Sequence, residues 1–195
     1  MAPLDCRSRC HSRSHAAAPA HVARCRALSR KDIRVRVPTV SDYELAENAV
    51  GLGVFAKRAF PANAMFCPME FGPVRSQPWR HSIQIAFDEH AEPLPTFLRY
   101  LNHSCDPNLF IDVRRRQVIT LRPIALGQEL TFFYPSTEWR MQSPFPCECG
   151  ASDCLTQIRG ASELSAGVLQ RYRLSPVIVE LIALGSSETH ELVAE

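Results

Sequence analysis

Arg99-Tyr100-Leu101-Asn102-His103-Ser104-Cys105-Asp106-Pro107-Asn108 carries a short apolar run into a knot of polar, turn-forming residues with a single cysteine inside it. About forty residues later come Cys147-Glu148-Cys149 and, after four intervening residues, Cys154. Three clustered thiols and one distant thiol make the four thiolates that a closed structural zinc site requires. The Cys-x-Cys-x4-Cys spacing, with no apolar secretory leader ahead of it, reads as metal binding in a reducing compartment, not as a disulfide framework. The chain is therefore organised around a long-range staple. By pattern alone, Cys105 as a buried free thiol beside an idle triad stays open.

Working outward, 195 residues suffice for one domain with a real core but not for two with tails. Fifteen prolines against eight glycines point to a loop-rich fold of short strands, not to a helical bundle. No apolar run approaches the roughly 18 residues of a membrane span, so a soluble protein is expected. The net charge of +2 hides an asymmetry. Residues 1–37 hold nine Lys/Arg and two Asp, or +7, which leaves −5 on the rest. An acidic body argues against a dedicated nucleic-acid reader, whose footprint is a basic face, and suits a basic peptide. Cys6, Cys10, Cys25 and Cys67 lack metal spacing and are expected to be free thiols.

The segment 1–32 is rich in Arg, Ser, Ala and His, a composition that buries little surface. It fits an inert tail, an organellar transit peptide, a phosphate-gripping arm or a misplaced gene start. Alternation predicts an edge strand over 33–40. Val50-Gly51-Leu52-Gly53-Val54-Phe55-Ala56 follows, a strand whose glycines either turn a hairpin or admit a ligand to the backbone. Further strands are expected over 65–71, 82–87, 109–113, 117–121 and 130–135, with loop over 73–80. Arg114-Arg115-Arg116 reads as a solvated hairpin tip. Residues 143–154 form the cysteine-rich loop. Leu164, Val168, Leu169 and Tyr172 share a helical face, and Ser175-Pro176 starts a second helix that Gly185 should stop, leaving 186–195 as a frayed tail. The sum is a β-rich α+β fold.

Taken together, the stretch 99–108, Gly127-Gln128-Glu129-Leu130-Thr131-Phe132-Phe133-Tyr134, Gly51-Leu52-Gly53 and the cluster 147–154 resemble, in order, the motifs of SET-domain protein-lysine methyltransferases with a post-SET zinc loop. The resemblance covers about residues 50–160. It implies small antiparallel sheets with the C-terminal segment threaded as a pseudoknot, a SET domain over 33–140, a post-SET loop over 141–160 and terminal helices over 161–185. It implies S-adenosylmethionine as methyl donor, with Gly51, Leu52, Gly53, Arg99, Tyr100, Asn102 and His103 around it. Tyr134 falls on the catalytic tyrosine, and Phe132 and Phe133 on the lysine channel, where Phe132 leans towards more than one methyl. Cys105, Cys147, Cys149 and Cys154 would hold one structural zinc. Leu52 replaces an aromatic, Phe133 stands where many relatives carry Asp, and Pro135 where many carry Gly. No cysteine-rich module precedes residue 50.

The expected activity is transfer of methyl groups to the lysine amine of a protein substrate, histone or not. An apolar channel favours the neutral amine that the reaction needs. In this family His103 contributes backbone contacts to the donor's adenine and is not a general base, while the Asn102 amide is the better polar contact. Trp139 and Phe145 either cap the donor pocket or pack in the core. Phe133 and Pro135 keep a second reading open: a non-catalytic, zinc-stabilised interaction module. A third is a zinc-dependent nucleic-acid binder using the basic arm. The expected location is intracellular, nuclear or cytoplasmic, or organellar if 1–30 is a transit peptide, with no membrane partner.

Overall fold

The computed structural model describes residues 38–39 and 42–191, with side chains through residue 185. The basic segment, its three cysteines and the expected edge strand over 33–40 lie outside the described residues, apart from Pro38 and Thr39. Among the described residues, twelve short strands form four small sheets around a core that includes Val54, Phe66, Leu98, Leu101, Leu109, Leu130 and Ile178. Stacking of Tyr43 on Phe97, with ring centroids 4.0 Å apart, ties the first strand to this core.

β1 (Tyr43–Asn48) and β2 (Gly51–Ala56) make an antiparallel hairpin in which Asn48 pairs with Gly51. The run expected as one strand over 65–71 is two, β3 (Met65–Pro68) and β4 (Glu70–Arg75), which enter different sheets. Buried Met69 lies between them. β4 occupies part of the segment read as loop, pairing with β6 (Glu89–Leu94), which also pairs with β5 (Ile83–Ala86). β6 carries Pro93, and the tertiary ladder here overrides local propensity.

The five-stranded sheet sets the site. It has the order β3-β9-β8-β10-β7, with β7 Asn102–His103, β8 Leu109–Asp112, β9 Gln117–Thr120 and β10 Thr131–Phe132. β10 lies parallel between β7 and β8, which follow one another in sequence. The connection 104–108 must therefore cross β10, and the chain threads beneath it. Asn108, 1% exposed, holds the crossing. Its N–H donates to the Thr131 carbonyl (3.2 Å), its Oδ1 accepts from the Thr131 N–H (2.9 Å), and its Nδ2 donates to the Glu129 carbonyl (2.7 Å).

The strand expected over 130–135 ends early, in a tight helical turn at Tyr134–Ser136 with Pro135 in its first turn. The tip 114–116 is the exposed turn of the β8–β9 hairpin, as expected, and its arginines also form ion pairs: Arg114 with Glu180, Arg115 with Asp112 (3.2 Å) and Arg116 with Glu70 (3.0 Å). A short hairpin, β11 (Phe145–Pro146) with β12 (Gln157–Ile158), carries the cysteine-rich loop. α1 (Ala166–Leu169) is capped by the Ser165 side chain. α2 (Pro176–Glu191) runs past Gly185 into the segment expected as a frayed tail. Gly185 in a helix interior costs about 1 kcal/mol relative to alanine, which weakens a helix without ending it. No helix among the described residues is long and apolar enough to cross a membrane.

Candidate active site and cysteine cluster

The threaded strand brings the two distant stretches of sequence onto one cavity of about 590 Å³, within the usual size range of small-molecule sites. Gly51, Leu52 and Asn102 line one part of it, Arg99 and Tyr100 another, and Phe132 and Tyr134 the floor from which β10 emerges. Loop residues Trp79, Arg80 and His81 border it too. His81 adopts a left-handed backbone (φ 70°), and its ring bonds the Arg99 carbonyl at 2.8 Å.

The two glycines of the first motif are required for different reasons. Gly51 has φ +119°, a conformation that a side chain rarely tolerates, while the space beside it is open. Gly53 is not on the cavity wall. A Cβ there would lie 2.6 Å from Glu129 Oε1 and 3.0 Å from Asn102 Nδ2. Glu129 Oε1 accepts from Asn48 Nδ2 (2.9 Å) and from Asn102 Nδ2 (2.8 Å), and Asn102 Nδ2 also approaches the Leu52 carbonyl at 3.3 Å. This carboxylate therefore sets the Asn102 amide and, with it, the backbone of the Gly-Leu-Gly turn.

Tyr134 Oη donates to the Leu101 carbonyl at 3.0 Å, and burial pushes the phenol up to about 12. At neutral pH it is an un-ionised hydroxyl whose proton is committed to Leu101, leaving oxygen lone pairs for another partner. Phe132, its ring centroid 4.8 Å from that of Tyr134, forms apolar wall beside it. Phe133 does not join it in the cavity. Side chains alternate along a strand, so Phe133 points the other way and stacks on Tyr172, centroids 3.6 Å apart and planes within 4°. It is 2% exposed and absent from the wall, which corrects its expected place in a channel.

His103 also lies off the cavity wall. Its Nδ1 accepts from the Tyr134 N–H at 3.3 Å, and its Nε2 lies 3.3 Å from Cys105 Sγ. Burial lowers its pKa to about 4, so the ring is neutral. Of the two flanking aromatics, Phe145 lines the cavity, and Trp139 packs against the core.

Behind that wall the four cysteines converge. The sulfurs of Cys149 and Cys154 are 3.8 Å apart and those of Cys105 and Cys147 4.0 Å; all four lie within 4.8 Å of one another. Zinc–sulfur bonds of about 2.3 Å in a tetrahedron place neighbouring sulfurs about 3.8 Å apart, so the set fits the ion in number, softness and spacing. Backbone N–H groups of Leu155, Cys105 and Thr156 each sit 3.4 Å from the sulfurs of Cys105, Cys149 and Cys154 respectively. Burial drives the Cys105 thiol up to about 11 and Cys147 upward as well. Burial also acts on Cys149, but bonds from the Cys105 and Ala151 backbone outweigh it and bring the thiol to about 7. For all four to be thiolates at this separation, a cation would have to lie among them. Tyr172 Oη donates to the Cys105 carbonyl at 3.0 Å, and Arg171 pairs with Asp153 at 3.5 Å, so the C-terminal segment fastens the cluster.

Sequence reasoning passed over Glu129, Asn48, Asn108 and Tyr172. Glu129 is visible in the sequence as the lone carboxylate ahead of a β-prone run, whereas Tyr172 reads only as part of an apolar helical face. Asn48 left no signal.

The SET domain family profile matches residues 51–135. Methyltransferase flvH of Aspergillus flavus is 41% identical over 127 residues, which cover 64% of this chain and 71% of that protein. The chain belongs to the SET-domain family. Other relatives of this SET-domain chain are methyltransferases too. The H3 lysine-36 specific histone-lysine N-methyltransferase of Candida albicans is 35% identical over 77 residues, 36% of this chain. Human histone-lysine N-methyltransferase 2B is 37% identical over 62 residues, 29% of this chain. The matched segment spans only 9% and 2% of those two proteins. Among solved structures, KRYPTONITE in complex with mCHG DNA and SAH aligns at a TM-score of 0.49 with 27% identity, over 59% of this chain and 28% of that one.

Proposed function

We propose that this SET-domain chain transfers methyl groups from S-adenosylmethionine to the side-chain amine of lysine in a protein substrate, with one structural zinc on Cys105, Cys147, Cys149 and Cys154. The observation that carries the reading is Tyr134. It stands on the cavity wall as a neutral phenol anchored to the Leu101 carbonyl, beside apolar Phe132. The donor, when bound, supplies an electrophilic methyl group on its sulfonium. Gly51, Leu52 and Asn102 offer backbone and amide groups to it, and Glu129 holds the Asn102 amide in place. Apolar wall of the Phe132 kind disfavours the ammonium and favours the neutral amine. With its proton on Leu101, the Tyr134 oxygen is free to accept from the amine and orient it; a phenol held near 12 does not serve as a base at neutral pH. Alignment then supplies most of the acceleration.

An acidic body suits a basic peptide, and a thiolate cluster calls for a reducing, intracellular compartment. The rival reading, a non-catalytic module, rested on Phe133 and Pro135. Both have packing reasons that leave Tyr134 untouched: Phe133 stacks on Tyr172, and buried Pro135 shapes the turn after the tyrosine.

The test is labelled-methyl transfer from the donor into a fractionated lysate, followed by identification of the labelled protein. With that substrate, Tyr134→Phe should lower turnover on the order of 10²–10³-fold, with donor binding by calorimetry retained. Full turnover in the variant would overturn the assignment, and absence of donor affinity in the unmutated chain would restore the interaction-module reading.

A further inference from the structure

His103 touches neither the cavity nor the solvent-facing side of the cluster, yet both of its ring nitrogens are engaged. The Tyr134 backbone N–H can only donate, so Nδ1 is the acceptor in the 3.3 Å contact between them. The ring proton is then on Nε2, which faces Cys105 Sγ at 3.3 Å. A sulfur that binds a metal as thiolate is an acceptor there.

We infer that His103 is a positioning residue that fixes Tyr134 to the metal cluster, its imidazole joining the tyrosine backbone N–H to the Cys105 sulfur. The inference rests on the proposed methyl transfer and zinc site and adds a mechanical link between them.

Three further observations give the link its stiffness. The pairing of Phe132 with His103 in β10 and β7, and the Ser104 N–H bond to the Phe132 carbonyl (3.1 Å), lock the two backbones in register. Rings pack round the imidazole: Tyr134 at 5.3 Å and Phe145 at 6.0 Å edge-on, and Phe133 at 5.7 Å. On the far side, Cys105 is held by the Tyr172 hydroxyl on its carbonyl. A shift of the Cys105 sulfur is thus passed through one rigid ring to the backbone that aims the Tyr134 hydroxyl. Removing a group that orients from behind in this way typically costs about 10–100-fold in affinity or activity.

The two ends can be separated by substitution. His103→Gln places an amide N–H near the position of Nε2 but offers no acceptor to Tyr134. His103→Asn places a carbonyl near the position of Nδ1 but does not reach the sulfur. The experiment uses the full chain with cobalt(II) in place of zinc, reading the thiolate-to-cobalt charge-transfer band, and separately the zinc-loaded chain in methyl transfer. His103→Ala should move the band to lower energy, because a sulfur without its N–H donor is more electron-rich. It should also lower kcat by about 10–100-fold with little change in the KM for the donor. His103→Gln should give back the band but not the rate, and His103→Asn part of the rate but not the band. If the alanine variant does not fold, the Asn and Gln variants read the same two quantities. A band at the unmutated energy in both Ala and Asn variants, or a loss of activity confined to donor KM, would overturn the link. Failure of the unmutated chain to bind cobalt at all refutes the zinc reading itself and takes the link with it.

Discussion

Asn108 closes the stretch on which the chain turns, and it does so from inside. It is buried, and its amide gives a donor and an acceptor to the backbone of residues 129 and 131 while its own N–H meets the Thr131 carbonyl. Truncation to alanine would strand a buried carbonyl and a buried N–H, each costing about 1–3 kcal/mol. Asn108→Ala should therefore lower unfolding free energy by about 2–6 kcal/mol, read as an earlier urea midpoint. A loss below the error of the measurement would mean that the threaded strand is held by other contacts. Gly53 teaches the same lesson on the other side of the cavity. Its lack of a side chain is dictated by Glu129 and Asn102, which are distant in sequence, so a Gly-x-Gly pattern alone could not say whether it served a hairpin, a ligand or a neighbour.

At the scale of elements, the cysteine loop and the C-terminal segment act as two fasteners on one connection. The loop reaches Cys105 through sulfur; the segment reaches it through the Tyr172 hydroxyl and the stack on Phe133. On the proposed zinc site, Cys149→Ser should abolish zinc binding and lose the folding free energy that the metal would supply. Metal analysis of the purified variant, together with its thermal midpoint, checks this, and undiminished zinc would refute the site. Tyr172→Phe keeps the stack and deletes one hydrogen bond, so a loss of about 0.5–1.5 kcal/mol is expected. Tyr172→Ala should cost more, because it also uncovers the fully buried Phe133 ring. Equal stabilities for the two variants in denaturant would show that the stack contributes nothing. The elements that sequence patterning misplaced were those decided by partners: β4 and β6 pair with each other through a segment that reads locally as loop, and α2 continues through Gly185.

For the molecule as a whole, two buried carboxyls impose opposite pH dependences on stability. Burial raises Glu138 well above the ordinary carboxyl value of 4.5, and burial lowers nearby His90, whose Nδ1 lies 3.9 Å from Glu138 Oε2. The folded chain keeps a proton on Glu138 that the unfolded chain has lost, so this group makes stability fall as pH rises above about 4.5. Asp42 behaves in the other sense. Burial would raise it, but the Arg58 guanidinium at 2.5 Å and the Thr39 groups hold it down at about 2. Its contribution is present above the ordinary value of 3.8 and is lost as pH falls towards 2. Glu138→Gln should accordingly flatten the decline in urea stability as pH rises above about 4.5 and leave the acid limb unchanged. Parallel profiles for variant and unmutated chain would show that Glu138 is not the group responsible.

Much of this was legible from residues alone. Four thiols in two places and a β-prone run ending in Phe-Phe-Tyr point to a cluster of four sulfurs and a tyrosine at the end of a strand, and the structure brings the sulfurs together and puts Tyr134 on the cavity, because strand formation and thiol spacing depend on residue type and local pattern. What tertiary structure alone decided is which face each residue meets. The threading of β10 between β7 and β8 turns Phe132 towards the cavity and Phe133 onto Tyr172, places Glu129 under Gly53, and sets His103 between Tyr134 and Cys105. Apart from His103 with Cys105, those pairings join positions from 31 to 76 residues apart in sequence. Contacts of that range are set by packing and strand register, for which local pattern carries no signal.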